Sequence, residues 1–216
     1  MTFGGQLVEC VREGGYTNMT KKQIAALWRI IKREQSMYDT AALNANKFRS
    51  NHKTIAPKQA GVHPSLEKHV ITDRCVAVIF SKKPPELPEA ERNNGLYEQI
   101  QCDISAHRHI LALTVTAAHI SEWKRLSKPW RAGNPYRISA PPAQVAAQSL
   151  DDRTVVGLYN PCYLIDAVEA IGPGAMIYIG RSVYDSGVCL NSLLIYPQNW
   201  IENPDHEIAY ILPRRY

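Results

Sequence analysis

The sequence contains no run of 18 or more apolar residues, which excludes a helix able to cross a bilayer, and no membrane partner is expected. Its first stretch carries Glu9, Arg12 and Glu13 where a secretory leader needs an unbroken apolar segment, so the expected location is cytoplasmic. Cysteine is sparse: five residues, at 10, 75, 102, 162 and 189, with neighbours at least 27 positions apart. That spacing excludes a compact disulfide framework and a CxxC metal or redox pair, leaving reduced thiols, several of them expected to be buried as small hydrophobes. The P-loop, GxSxG, HExxH and Rossmann glycine patterns are missing, and with them the nucleotide-binding and hydrolytic classes that they mark.

What is present is an ordinary globular composition. The 216 residues (24.3 kDa) are 45% hydrophobic and 21% charged, enough to bury a core without disulfide or metal staples and enough for one large domain or two small ones. Disorder, collagen and coiled coil are excluded. The net charge of +5 is unevenly placed: through residue 74 there are twelve Lys and Arg against six Asp and Glu, and beyond it thirteen against fourteen. A basic N-terminal third creates a local field that attracts polyanions in a salt-dependent way.

Along the chain, Thr20 followed by Gln23 forms a capping box for a helix on which Ile24, Leu27, Trp28 and Ile31 make one apolar stripe. Lys21, Lys22, Arg29, Lys32 and Arg33 lie mostly off that stripe, giving a basic outer face. From Gln35 to Glu67 the periodicity dissolves, and a long loop without core is expected. His69 to Phe80 is read as a strand closed by a proline-rich turn, Lys82 to Asn94 as a linker, and Leu96–Asp103 and His107–Val115 as strands. Thr116 caps a helix Ala117–Ser127 that Pro129 ends, with Lys124 and Arg125 exposed. Pro129–Pro142 is expected to be irregular and Asp151–Tyr159 a strand. Asn160 as cap, Pro161 at the first helical position, and Gly172 with Pro173 bound a helix whose apolar stripe is Leu164, Ala167, Val168 and Ile171. Three strands follow it, Ala175–Ile179, Val188–Tyr196 and Glu207–Leu212. Helices and strands interleave without βαβ spacing, so the expected class is α+β with antiparallel sheets.

The segment Tyr159-Asn-Pro-Cys-Tyr-Leu-Ile-Asp-Ala-Val-Glu-Ala-Ile171, the strands after it and the terminal Ala209-Tyr-Ile-Leu-Pro-Arg-Arg-Tyr216 resemble the last part of the bacterial DNA polymerase III β sliding clamps. Those proteins carry an F-N-x-x-Y-L-L-D-A-L-like helix, three strands and a V-M-P-M-R-L-like tail. Asn160, Tyr163, Leu164, Asp166 and Ala167 match the helix, and Pro213 and Arg215 the tail. Upstream, Ile71-Thr-Asp-Arg-Cys-Val-Ala-Val78 is similar to the family's A-T-D-G-H-R-L-A-V strand, one residue shorter and without its glycine.

The resemblance implies clamp-like units, with antiparallel sheets on one side and helices on the other facing duplex DNA. It implies a non-enzymatic processivity factor in replication or its regulation, of the kind a phage or mobile element would carry. On that reading Lys21, Lys22, Arg29, Lys32, Arg33, Lys124 and Arg125 contact phosphate without reading sequence. A polymerase-type partner peptide docks between Thr72, Asp73, Arg74, Cys75 and Val76 and the tail residues Leu212, Pro213, Arg215 and Tyr216. A ring-forming family member has three units per chain, more than 216 residues hold. The chain is therefore either one enlarged unit or two abbreviated ones, divided as a basic region 1–94 and a C-terminal unit 95–216, and a closed ring would be a homo-oligomer of more than two chains. The alternative is a protein-binding regulatory module that keeps the clamp-like domain without encircling DNA.

Other chemistry has less support in the residues. His107 and His109 alternate on a strand and share a face with Asp103, but no third ligand is fixed by spacing, and the pair is read as surface histidines. Cys75 and Cys162 lack a local nucleophile signature and are read as structural. No catalytic residue, cofactor or metal is assigned.

Overall fold

Thr20 begins the first helix, α1 (Lys21–Phe48), in the expected way. The Gln23 N–H donates to Thr20 Oγ1 at 3.2 Å while the Thr20 N–H donates to Gln23 Oε1 at 2.9 Å, so two amides that no helical carbonyl can reach are satisfied reciprocally. The computed structural model describes residues 19–48, 60–65, 68–90, 96–131, 140–148, 154–182, 191–198 and 208–211. Within them the chain continues as β1 (Val62–Pro64), β2 (His69–Thr72), β3 (Val76–Phe80), α2 (Leu96–Ser105), β4 (His107–Thr114), α3 (Ala117–Arg131), β5 (Ala143–Gln148), β6 (Thr154–Tyr159), α4 (Pro161–Ile171), β7 (Met176–Ser182), β8 (Leu193–Tyr196) and β9 (Ile208–Ile211). No helix among the described residues is long and apolar enough to cross a membrane.

The sheet has seven strands in the order β1-β2-β3-β9-β8-β7-β4, with every ladder antiparallel, and β5 and β6 form a separate hairpin. The α+β antiparallel class is therefore what the chain adopts. One pattern occurs twice: α1 is followed by the meander β1-β2-β3, and α4 by the meander β7-β8-β9. The third strands of the two meanders, β3 and β9, pair antiparallel at the centre, with Val76 opposite Ile211 and Ile79 opposite Ile208. This order maps onto itself under a two-fold axis between β3 and β9, with β4 added beyond one end. Strands from either side of residue 94 thus share one sheet.

Helices α1 and α4 cover one face, with α3 packed alongside α4, and there Leu27, Ile30, Ile71, Val78, Leu164, Ile177 and Ile195 are almost fully buried. Side chains alternating with these, Val70, Ala77, Ile79, Leu194 and Tyr210, point to the other face against α2. Covering both faces explains the unbroken apolar run of β3, buried at all five positions. Each large aliphatic side chain withdrawn from water in this way contributes about 1.5–3 kcal/mol.

Several expectations are corrected. The first helix does not stop at Gln35 but runs to Phe48, and Val62 and His63, in a stretch assigned no core, are buried. His69–Phe80 is a hairpin, because Thr72 and Asp73 bend the chain with their own side chains. Leu96–Asp103 is helical as part of α2: Tyr97, Ile100 and Ile104 recur at helical spacing and pack on the back of the sheet. The third helix passes Pro129 and ends at Arg131, since a proline in the last turn removes only one intrahelical hydrogen bond. Strand β5 was hidden in Ala and Gln, poor strand formers, yet its burial alternates strictly.

Helix α4 forms as its sequence dictates. Asn160 Oδ1 accepts from the Cys162 N–H at 2.9 Å, Pro161 occupies the first turn, and Gly172 at φ +117° donates its N–H to the Val168 carbonyl at 2.9 Å. A second close approach requires glycine: a Cβ on Gly157 would lie 2.1 Å from the Tyr159 hydroxyl. That hydroxyl donates to the Asn191 carbonyl at 2.6 Å, and Asn191 Nδ2 donates to the Val156 carbonyl at 3.0 Å, which ties the β5-β6 hairpin to the approach of β8. The strands after α4 stand close to where they were expected; residues 188–190, 207 and 212 of those ranges lie outside the described residues.

Candidate functional site

On α1, Arg29 and Arg33 are one turn apart and face α4, which carries Asp166 and Glu169 at the matching spacing of three. Arg29 donates through Nε to Asp166 Oδ1 and through Nη2 to Glu169 Oε2, each at 2.6 Å. Arg33 donates through Nη1 to Asp166 Oδ2 and through Nε to Asp73 Oδ2, the latter at 2.6 Å. Lys22 Nζ on α1 and Lys124 Nζ on α3 approach Glu169 Oε1 at 3.5 and 3.9 Å. Four cations from two helices are gathered on three acids from α4 and the β2-β3 turn. The carboxylates are almost inaccessible, with 1–8% of each side chain exposed, and the cations reach solvent.

Asp73 can serve Arg33 because its other oxygen organises the turn. Asp73 Oδ1 accepts from the Cys75 and Val76 N–H groups at 3.0 and 2.8 Å. Thr72 Oγ1 donates to the Val76 carbonyl and accepts from the Arg74 N–H, at 2.8 and 2.9 Å. Such local side-chain bonds replace ladder bonds and set the two-residue tip. Arg74, at φ +69°, holds the left-handed conformation that glycine adopts without steric cost.

The Arg33 guanidinium also lies 5.0 Å from the centre of the Tyr163 ring, a cation–π contact from the helical turn preceding Asp166. Burial opposes the Arg33 charge, but the carboxylates of Asp73 and Asp166 outweigh it and raise its pKa further above the ordinary arginine range. Burial raises the Tyr163 phenol, helped by the Asp73 charge. Burial likewise raises the Cys75 thiol, partly offset by a hydrogen bond with Tyr163. These groups stay in their protonated forms at neutral pH, and the cluster is a fixed electrostatic joint between α1, α4 and the turn. A second buried polar pair, His63 Nε2 and Glu34 Oε1 at 3.2 Å, joins α1 to β1.

Comparison with known proteins adds no assignment. No protein family, curated protein or solved structure matches the chain.

The seven residues expected at phosphate are distributed unevenly. Lys21 and Lys32 are exposed and make no ion pair among the described residues, whereas Arg125 pairs with Glu122 on its own helix. Lys22, Arg29, Arg33 and Lys124 belong to the cluster, so the α1 cations do not all form an outer face. An open groove of about 500 Å³ runs along Ala25, Trp28, Arg29 and Lys32. Of the expected peptide pocket, Thr72, Asp73 and Val76 are buried, Cys75 is half-buried and Arg74 is exposed. Leu212, Pro213, Arg215 and Tyr216 lie outside the described residues, but Ile211 is held opposite Val76, beside the turn. No group of three His, Cys, Asp or Glu side chains able to hold a metal occurs among the described residues.

In the sequence Asp166 stands out only as a match to the clamp-like helix, and Glu169 carries no mark of its own. Their signal was legible only in combination: acids three apart on one helix and arginines four apart on another, a pairing that requires knowing that the helices are neighbours.

Proposed function

We propose that this chain is a sliding-clamp-like, non-enzymatic protein of DNA replication or its regulation, with the α1, α3 and α4 layer facing duplex DNA and the β2-β3 turn serving a partner peptide. The observation that carries this reading is the duplicated helix-plus-meander, which places α1 and α4 side by side over one antiparallel sheet. Its charge agrees: the described side chains of these three helices include eight Lys and Arg and four Asp and Glu. A surface of this kind contacts phosphate without reading bases. The pairing of Val76 with Ile211 supports the peptide site, because it brings the end of β9 to the Thr72–Val76 turn.

The test is fluorescence anisotropy with duplex DNA across salt concentration. Expected is binding at about 50 mM salt that weakens steeply by about 200 mM and weakens further in Lys21→Gln/Lys32→Gln. No binding at the lowest salt would remove the DNA-facing reading. A second reading, a protein-binding module that does not encircle DNA, is favoured by the capture of Arg29 and Arg33 on Asp73, Asp166 and Glu169. Light scattering separates the two, because a ring needs a homo-oligomer and the module does not.

A further inference from the structure

Glu169 holds an unusual position on the helical layer. Three cations from two helices converge on its carboxylate, Arg29 at 2.6 Å, Lys22 at 3.5 Å and Lys124 at 3.9 Å. The carboxylate is 8% exposed, whereas Lys22, Lys124 and Arg29 are 61, 54 and 39% exposed. An anion arriving from solvent therefore meets the three cations first and the carboxylate beneath them. Carboxylate and phosphate oxygens accept the same charge-assisted bonds from lysine and arginine, so both compete for this spot.

We infer that Lys22, Arg29 and Lys124 form a nucleic-acid phosphate site and that Glu169, as a built-in competing anion, holds its affinity down. This rests on the DNA-facing reading proposed above and deepens it. Glu169 also gathers the three cations, an opposing effect. The two lysines, more than half exposed and 3.5 and 3.9 Å away, are held only weakly, and Arg29 stays anchored on Asp166 without Glu169, so the charge effect wins. Nucleic acid is favoured over an acidic protein because the cations continue along the same layer through Lys21 and Lys32 on α1, spread over a length that a phosphate backbone follows.

The experiment measures duplex DNA binding by the full chain against salt. In Glu169→Gln affinity rises roughly tenfold at about 0.1 M salt and the slope of log affinity against log salt steepens by about 1, the signature of one more phosphate contact. Glu98→Gln removes the same charge from an exposed position on α2, behind the sheet and away from the helical layer, and raises affinity by less than about threefold. Lys22→Gln/Lys124→Gln costs little in the native background and reverses the gain in the Glu169→Gln background. The native-background double variant gives an answer even where Glu169→Gln folds poorly: a loss equal to that of Lys21→Gln/Lys32→Gln means that Glu169 restrains nothing and overturns the inference. Native binding with Glu169→Gln no tighter than Glu98→Gln overturns the inference and leaves the DNA-facing reading standing. No DNA binding by any variant removes both, and a Glu169→Gln gain seen with polyglutamate but not with DNA assigns the site to an acidic protein and overturns it too.

Discussion

Replacing Asp166 by Asn isolates the joint between α1 and α4. The carboxylate is 2% exposed and receives Arg29 and Arg33, which are 39 and 29% exposed. Removing one partner from a fully buried pair costs about 3–5 kcal/mol because the remaining charge is left uncompensated. Here both guanidinium groups reach solvent, Arg29 keeps Glu169 and Arg33 keeps Asp73, so the expected cost falls to about 2 kcal/mol. For a chain of this length that corresponds to a loss of about 4–8 °C in Tm. Urea denaturation followed by circular dichroism should show a lower midpoint with an unchanged slope, since the surface exposed on unfolding is the same. A double-mutant cycle with Arg33→Gln should return a coupling of about 1 kcal/mol, because the two residues share one network. A loss below about 0.5 kcal/mol, the level of an ordinary surface change, would refute the assignment of a structural role to the cluster.

Other outcomes follow from the same geometry. Arg74→Gly should leave stability near that of the native chain, because relief of the left-handed strain offsets the extra freedom of the unfolded glycine, whereas Arg74→Val should cost about 1–2 kcal/mol more; equal melting curves would show that φ at this position carries no strain. Thr20→Ala removes the acceptor for the Gln23 amide and should cost about 1 kcal/mol, measured by the same urea titration. Cys75 and Tyr163 have pKa values raised by burial from ordinary values of 9.0 and 10.0, so the folded chain holds protons that the unfolded chain releases there. Their contribution is complete below pH 9.0 and is lost as pH rises through the raised values; Tm should therefore decline on the alkaline side, and more gently in Cys75→Ala.

Much of the local structure was legible. Thr20 with Gln23, and Asn160 with Pro161 and Gly172, mark helix ends through bonds that span only a few residues. The missed elements each had a local signal that tertiary context outweighed. The α2 segment is rich enough in apolar residues to pass for a strand, and its Tyr97, Ile100 and Ile104 gain from helical spacing only because the back of the sheet is there to receive them. The Thr72–Val76 turn lacks glycine and has the sequence of a strand, because Asp73 and Thr72 supply the bending bonds that glycine would otherwise favour.

The sequence by itself determined where most helices begin, that the strands are antiparallel and that α1 carries an excess of positive charge. These are properties of residues near one another in the chain, set by capping, periodicity and composition. Only the tertiary structure decided what that charge faces. Arg29 and Asp166 are separated by 137 positions, and nothing local to either says that β3 and β9 will pair and draw α1 onto α4. Once they do, burying Asp166 without a cation would cost several kcal/mol, and the arginines that looked free to reach phosphate are drawn first to the protein's own carboxylates.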